Sequence, residues 1–83
     1  MTAIDLDHAV RAVLARELRL APAAITDAAL LADLGVDEDH SVLILSAVEE
    51  ALDVRFPDDF LEGIHTFGQL TTAIQVAVGP FRP

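Results

Sequence analysis

Apolar side chains recur at helical spacing in three separate segments of this chain, and this pattern constrains the fold more than any other feature. Pro22 separates the first segment from the second, and Pro57 and Gly63 separate the second from the third. Periodicity supports no strand, so the sequence predicts an all-α protein. The three apolar stripes are Leu6, Val10, Val13, Leu14 and Leu18; Val42, Ile44, Leu45, Val48 and Leu52; and Phe67, Leu70 and Ile74.

The sequence also predicts where the first two helices begin. Asp5 or Asp7 is the expected N-cap of the first helix. After the turn-forming Gly35, the second helix is expected to begin at Asp37 or Glu38. Acidic residues crowd this end, where the helix dipole favours a negative charge by about 0.3–1 kcal/mol each.

The C-terminal part of the chain predicts one short and one longer helix. A short helical turn is expected around Phe60 to Glu62, limited by Gly63. Thr66 and Gln69 fit a capping box, which predicts a last helix that runs toward Val78. The pair Gly79-Pro80 is expected to end that helix.

A long connection, from Leu20 to Asp33, joins the first two helices. A loop of this length in a small domain needs apolar contacts that hold it against the helices. Three longer helices, one short helix and this long first loop predict a small four-helix bundle, with residues 1–83 as a single domain. The residues expected to hold the loop are Ile25, Leu30, Leu31 and Leu34.

Size and composition exclude several classes of protein. The 83 residues include no cysteine, so the 53% hydrophobic content must supply a core without disulfides. No apolar run approaches the roughly 20 residues that span a bilayer, and the N-terminus lacks the features of a signal peptide. We therefore expect a cytoplasmic protein without a membrane segment.

The net charge of −9 disfavours nucleic acid as a partner, because phosphate backbones would be repelled. An acidic domain is instead suited to steering toward basic patches on partner proteins. Solubility alone explains the acidity equally well.

The stretch from Asp33 to Val42 reads Asp-Leu-Gly-Val-Asp-Glu-Asp-His-Ser-Val. It resembles the Asp-Leu-Gly-x-Asp-Ser-Leu motif of acyl carrier proteins. The likeness extends without gaps from about Ile4 to Val78 and includes Phe56-Pro57-Asp58-Asp59 and Ile64-His65-Thr66-Phe67. The order and spacing of these pieces predict the four-helix bundle of that family.

In this register Glu38 occupies the position of the family's serine, and Asp39 that of the following leucine. The resemblance implies that the serine carries a phosphopantetheine arm, and a carboxylate cannot take up that arm. No cofactor is then expected. Glu38 is either a favourable first-turn helix residue or a permanent electrostatic imitation of the modified state.

Ser41 is the alternative attachment residue, because Asp39-His40-Ser41-Val42 weakly resembles the Asp-Ser-Leu part of the family motif. Attachment at Ser41 would require an insertion before this residue, relative to the family motif, and a compensating deletion after it. The apolar residues of the second helix match the family without either change. With Ser41 modified, the protein would be a divergent working carrier that holds phosphopantetheine.

The resemblance also implies that partner enzymes contact the second helix, largely through acidic residues. Leu43 stands where the family usually has an acid, and Phe60 is expected to be exposed as well. These two residues could form a contact patch. The expected contact residues are Glu38, Asp39, Leu43, Glu49, Glu50 and Phe60.

No enzyme activity or metal site is expected. Asp39, His40 and Ser41 are adjacent on one helix and cannot converge on a substrate. His8 and His65 show no metal-ligand spacing.

The leading hypothesis is therefore an acyl-carrier-like protein without its attachment serine. It would contact enzymes of fatty-acid, polyketide or peptide biosynthesis non-covalently, through their basic or apolar docking surfaces. A carrier armed at Ser41 is the first alternative. The second is a helical module that associates with itself through Leu43 and Phe60, whereas a monomer is the default expectation.

Overall fold

Three α-helices form most of the regular structure in residues 3–78, the part of the chain that the computed structural model describes. They are α1 (Ala3–Leu18), α2 (Glu38–Leu52) and α3 (Phe67–Val78), with a 3-10 helix at Pro22–Ala24 between the first two. The predicted all-α class is confirmed, since the only extended pairing among these residues is one isolated bridge between Leu30 and Thr66. No helix in this range is both long and apolar enough to cross a membrane.

The predicted short helix around Phe60–Glu62 is instead a run of turns over residues 58–63. The backbone makes only short-range bonds here, and Gly63 ends the run with a φ of +80° that favours glycine. These residues therefore extend the bundle without forming a fourth continuous helix. The bonds join Phe60 to Pro57, Glu62 to Asp59 and Ile64 to Leu61, at 3.0, 3.0 and 3.1 Å.

The predicted helix ends are partly confirmed. Asp5 and Asp7 lie inside α1 rather than at its N-cap, because the helical backbone already includes Ala3. At α3 the capping box is complete: Thr66 Oγ1 accepts a hydrogen bond from the Gln69 N–H, and Gln69 Oε1 accepts one from the Thr66 N–H, both at 3.1 Å. The expected stop at Gly79-Pro80 lies outside the described residues.

The core lies between the three helices and the long first connection. Phe67 is its largest fully buried side chain. All predicted stripe residues of α1 except the half-buried Leu18 are buried, and so are those of α3. The buried apolar residues are Leu6, Val10, Val13, Leu14, Ala15, Ile25, Leu31, Ile44, Val48, Phe67, Leu70 and Ile74.

Two residues predicted to be buried are exposed. Val42 is 67% exposed, because a residue two positions before the buried Ile44 lies on nearly the opposite side of a helix. Leu30 is 45% exposed. Its backbone lies in the bridge to Thr66, where neighbouring side chains point to opposite sides, so that Leu31 enters the core instead.

Backbone hydrogen bonds join the long connection to the start of α3. The Leu31 N–H donates to the His65 carbonyl at 2.8 Å, the Phe67 N–H to the Ala29 carbonyl at 3.0 Å, and the Gly68 N–H to the Asp27 carbonyl at 2.9 Å. The connection is therefore bound to α3 through its main chain as well as through Ile25 and Leu31.

Arg11 also joins this connection to α1. Its Nε donates to the Ile25 carbonyl at 2.8 Å, and the guanidinium pairs with Asp7 and Asp27. The guanidinium carbon lies 4.7 Å from the centre of the Phe67 ring, a cation–π contact. A single half-buried side chain thus contacts α1, the connection and α3.

We expect Gly68→Ala to destabilise the protein, although alanine is the better helix residue. The added Cβ would lie 3.0 Å from the Asp27 carbonyl oxygen, which would strain the hydrogen bond between these residues. Overpacking costs about 1–3 kcal/mol, against a propensity gain of about 1 kcal/mol, so we expect a net loss of about 1 kcal/mol. Urea unfolding of the purified variant measures this change.

The matched control is Thr72→Ala, at an exposed position of the same helix. It should leave the free energy of unfolding unchanged or slightly higher. If Gly68→Ala stabilises the protein as Thr72→Ala does, the close approach of the connection does not constrain this position.

Candidate functional site at the start of α2

Asp37 caps the N-terminus of α2, which begins at Glu38, one of the two starting residues that the sequence predicts. Its backbone is extended, and its Oδ1 accepts a hydrogen bond from the His40 N–H at 2.8 Å. The His40 ring Nδ1 lies 3.0 Å from the same oxygen. The hydrogen bond from the His40 backbone is the main cause that holds the pKa of Asp37 below its ordinary value. The cap fixes where α2 begins and hence where the next side chains point.

Glu38 is the first residue of α2, and its side chain is exposed. Within residues 3–78 its carboxylate makes no hydrogen bond or ion pair. The helix N-terminus favours this negative charge, which remains available to a partner.

Ser41 lies one turn further along α2 and is half-buried. Its N–H donates to the Asp37 carbonyl and its hydroxyl donates to the Glu38 carbonyl, both at 2.8 Å. The hydroxyl is therefore engaged by the helix itself, as is common for serine within a helix.

Two open grooves meet at the start of α2. The first, which we call the loop groove, has a volume of about 460 Å³ and lies against the long connection. It is lined by Leu30, Leu31, Ala32, Val36, Asp37, Glu38, Ser41, Leu61, Ile64 and His65.

The second groove, which we call the turn groove, has a volume of about 430 Å³ and lies between α2 and the turns at residues 58–62. Glu38 and Ser41 line both grooves. The turn groove is lined by Glu38, Ser41, Val42, Leu45, Asp58, Asp59, Leu61 and Glu62.

The interior beneath these grooves holds a cavity of only about 10 Å³. A cavity of this size accommodates about one water molecule at most. Any acyl chain placed there would require the surrounding side chains to move apart. The cavity is lined by Leu14, Leu31, Val36, Ser41, Ile44, Leu45, Val48, Leu61 and Leu70.

The outer face of α2 presents Asp39, Leu43 and Glu50, all of them exposed. Leu43 follows Asp39 by four residues and precedes Glu50 by seven, so all three lie on one side of the helix. Leu43 is 61% exposed, and the neighbouring Val42 at 67% adds a second apolar side chain that sequence reasoning assigned to the core. The exposure of Val42 could have been predicted from the sequence, because residues two positions apart in a helix, such as Val42 and Ile44, point to nearly opposite sides.

Glu49 and Phe60 differ from this exposed set. Glu49 is half-buried, and its Oε2 accepts a hydrogen bond from the Phe56 N–H at 2.7 Å, so it holds the segment after α2. The expected exposure of Phe60 is wrong: this residue is half-buried, and its ring stacks on Phe56 with centroids 4.3 Å apart. Of the two residues in the self-association hypothesis, Leu43 is therefore exposed and Phe60 is not.

The three residues Asp39, His40 and Ser41 do not form a catalytic set. The His40 ring contacts Asp37, and the Ser41 hydroxyl donates to a backbone carbonyl. Among residues 3–78, no cluster of three or more His, Cys, Asp or Glu side chains is arranged to hold a metal ion.

Comparisons with known proteins agree with this geometry. Residues 8–74 match the family described as "Phosphopantetheine attachment site". An acyl carrier protein from Phenylobacterium zucineum is 34% identical over 76 residues, which cover 90% of this chain and 96% of that protein. The chain belongs to the acyl carrier protein family. Acyl carrier proteins are carriers rather than enzymes, in agreement with the prediction of no enzyme activity.

Two further relatives show the range of this family. An acyl carrier protein from Caulobacter vibrioides is 35% identical over 65 residues, 77% of this chain and 83% of that protein. A non-reducing polyketide synthase from Byssochlamys spectabilis is 33% identical over 67 residues, 81% of this chain but only 3% of the synthase. Carrier domains of this family thus occur both as small proteins and within much larger biosynthetic enzymes.

The cap of α2 gives this acyl carrier protein relative a pH-dependent contribution to stability. Because the pKa of Asp37 is lowered in the folded state, its charge stabilises the fold above the ordinary aspartate pKa of about 3.9. This contribution is lost as the pH falls through the lowered value. We expect the stability difference between the protein and Asp37→Asn to shrink from pH 5 to pH 3, measured by urea unfolding.

Asparagine keeps a side-chain oxygen for the His40 N–H but does not titrate, so the comparison isolates the charge of Asp37. The other carboxylates titrate in both proteins and cancel in the difference. A stability difference that stays constant over this pH range would contradict the assigned role of the Asp37 carboxylate.

Proposed function

We propose that this protein is a carrier-fold partner that works without a phosphopantetheine arm. It contacts enzymes of fatty-acid, polyketide or peptide biosynthesis non-covalently and positions them, regulates them or competes with an armed carrier. A cytoplasmic location is part of this proposal.

The observation that carries the proposal is the position of Glu38. It follows the Asp37 cap directly and is exposed as the first residue of α2. This agrees with the gap-free register, in which Glu38 stands at the attachment position. A carboxylate has no hydroxyl with which to form the phosphodiester of an arm, so this position does not fit the group. Glu38 instead keeps a negative charge where a phosphodiester would also be charged.

The outer face of α2 supports a binding role. Asp39, Leu43 and Glu50 are exposed on one side of the helix, so that acidic groups flank an apolar side chain. A surface of this kind favours a partner with cationic and apolar groups, because opposite charges steer the encounter and apolar burial adds affinity. Glu49 acts mainly within the protein, through its bond to Phe56.

Mass spectrometry after incubation with coenzyme A and a broad-specificity phosphopantetheinyl transferase tests this proposal. We expect no mass gain for the protein itself, because position 38 offers no hydroxyl that could form the phosphodiester. The matched variant Glu38→Ser restores a hydroxyl at the first residue of α2 and should gain one phosphopantetheine. A second variant combines Glu38→Ser with Asp39→Leu and so also restores the leucine that follows the serine in the family motif. It tests whether the transferase requires that leucine as well.

Modification of the unaltered protein would overturn the proposal. If the unaltered protein stays unmodified while either restored variant is modified, the proposal is supported. If neither restored variant is modified, position 38 is not the attachment position, and the argument from Glu38 fails.

A second candidate function is a working carrier armed at Ser41. The observation in its favour is that Ser41 lines both grooves as well as the interior cavity. Against it, the hydroxyl would have to leave the Glu38 carbonyl and is half-buried inside the helix. In the same assay, loss of the mass gain in Ser41→Ala would establish this function, and retention of the gain would exclude it.

A further inference from the structure

Residues 25–31 of the long connection, which we call the strap, lie outside the helices. Main-chain hydrogen bonds join the strap to the residues at the start of α3, through the Asp27 and Ala29 carbonyls and the Leu31 N–H. A segment outside regular structure that is held by few bonds opens locally at a lower free energy than the helices around it. The stability of the strap therefore depends on the contacts that other elements add.

Arg11 supplies such contacts from α1. Its Nε donates to the Ile25 carbonyl at 2.8 Å, and its Nη2 donates to the Asp27 carboxylate at 3.2 Å. The same guanidinium lies 4.7 Å from the centre of the Phe67 ring, and the Phe67 N–H donates to the Ala29 carbonyl. Arg11 thus contacts the strap at two residues and also contacts the α3 residue to which the strap is bonded.

The contacts of Arg11 differ in strength. Its side chain is only 20% exposed, and Asp7 pairs with it from one turn earlier on α1. The bond to Ile25 joins a charged donor to a residue that is 1% exposed, whereas the Asp27 side chain is 75% exposed. A charge-assisted bond in the interior contributes more than an exposed ion pair. The bond to Ile25 should therefore contribute most to holding the strap.

We propose that Arg11 is a latch that controls the local opening of the strap. While the guanidinium is in place, Ile25 and Leu31 stay packed in the core. When its contacts break, the strap separates from α1 and from the start of α3, and the helices remain folded.

Opening of the strap would change the candidate site from a distance. Leu31 lines both the loop groove and the cavity beneath it, whereas Arg11 lines neither. Movement of the strap removes Leu31 from the wall between them, so that the interior becomes accessible from the groove. This inference does not rest on the proposed function, because the latch acts on the connection whether or not the chain carries an arm.

Amide hydrogen exchange of the full isotope-labelled chain, followed by NMR, tests the latch. The N–H groups of Leu31, Phe67 and Gly68 form the bonds between the strap and α3. Arg11→Gln should raise their exchange rates about tenfold or more relative to that of Val48, a buried residue of α2. The ratio to Val48 removes any change in the stability of the whole protein.

Three further variants separate the contacts. Arg16→Gln is the matched control, because Arg16 lies on the same helix, is 69% exposed and pairs with Glu17; it should leave the ratios unchanged. Asp27→Asn should raise them less than about fivefold, since it removes only an exposed pair. Arg11→Lys keeps the charge without the planar guanidinium and should give an intermediate increase.

A single introduced thiol measures the opening directly, because the chain has no cysteine. Leu31→Cys places this thiol in the strap, at a position that is 7% exposed. Adding Arg11→Gln should speed its reaction with a maleimide reagent about tenfold or more. Ile44→Cys is the control, at a position of α2 that is 4% exposed. Its labelling should be accelerated less, because it requires more than the strap to open.

Equal acceleration at Val48 and at the three strap bonds would overturn the latch, since Arg11 would then support the whole fold alike. Equal acceleration of both introduced thiols would do the same, as would an effect of Arg16→Gln as large as that of Arg11→Gln. If Arg11→Gln does not fold, Arg11→Lys carries the same comparisons. None of these outcomes depends on whether the transferase modifies the chain.

Discussion

The backbone of the long first connection must find hydrogen-bond partners, and the rest of the structure depends on how it does so. Leu31, Ala29 and Asp27 exchange backbone hydrogen bonds with the start of α3, while Arg11 binds the Ile25 carbonyl. Once the connection is held in this way, it closes one side of the core and forms a wall of the loop groove. A connection of this length would otherwise cost conformational entropy without contributing to the fold.

The start of α2 distinguishes Glu38 from Ser41, the two positions that the sequence offers for attachment. The Asp37 cap sets the first turn, which exposes Glu38 and turns Ser41 toward the groove, with its hydroxyl on the Glu38 carbonyl. Only three positions separate the two side chains, yet one is free for a partner and the other is engaged by the helix. The two proposed functions of this member of the acyl carrier protein family rest on different residues: one on Glu38 as a permanent charge, the other on Ser41 as an attachment point.

The acidic residues of the chain serve different purposes at different places. Asp37 caps a helix, Asp7 and Asp27 hold Arg11, and Glu49 holds the Phe56 N–H. Others, such as those on both sides of the turn groove, have no cationic partner within residues 3–78 and face solvent. Net charge alone cannot distinguish these roles, because each depends on which donors lie within hydrogen-bonding distance.

The sequence by itself determined the three helices, the start of α2, the capping box at Thr66 and most of the core, because helical periodicity and capping depend on residues close together in the chain. Tertiary structure alone decided the exposure of Leu30, the partial burial of Phe60 and the turns that replace the short helix. These features depend on which distant surfaces cover each side chain. Val42 belongs partly to each group. Its two-residue offset from Ile44 is visible in the sequence, but its position in the turn groove depends on how α2 packs against the turns.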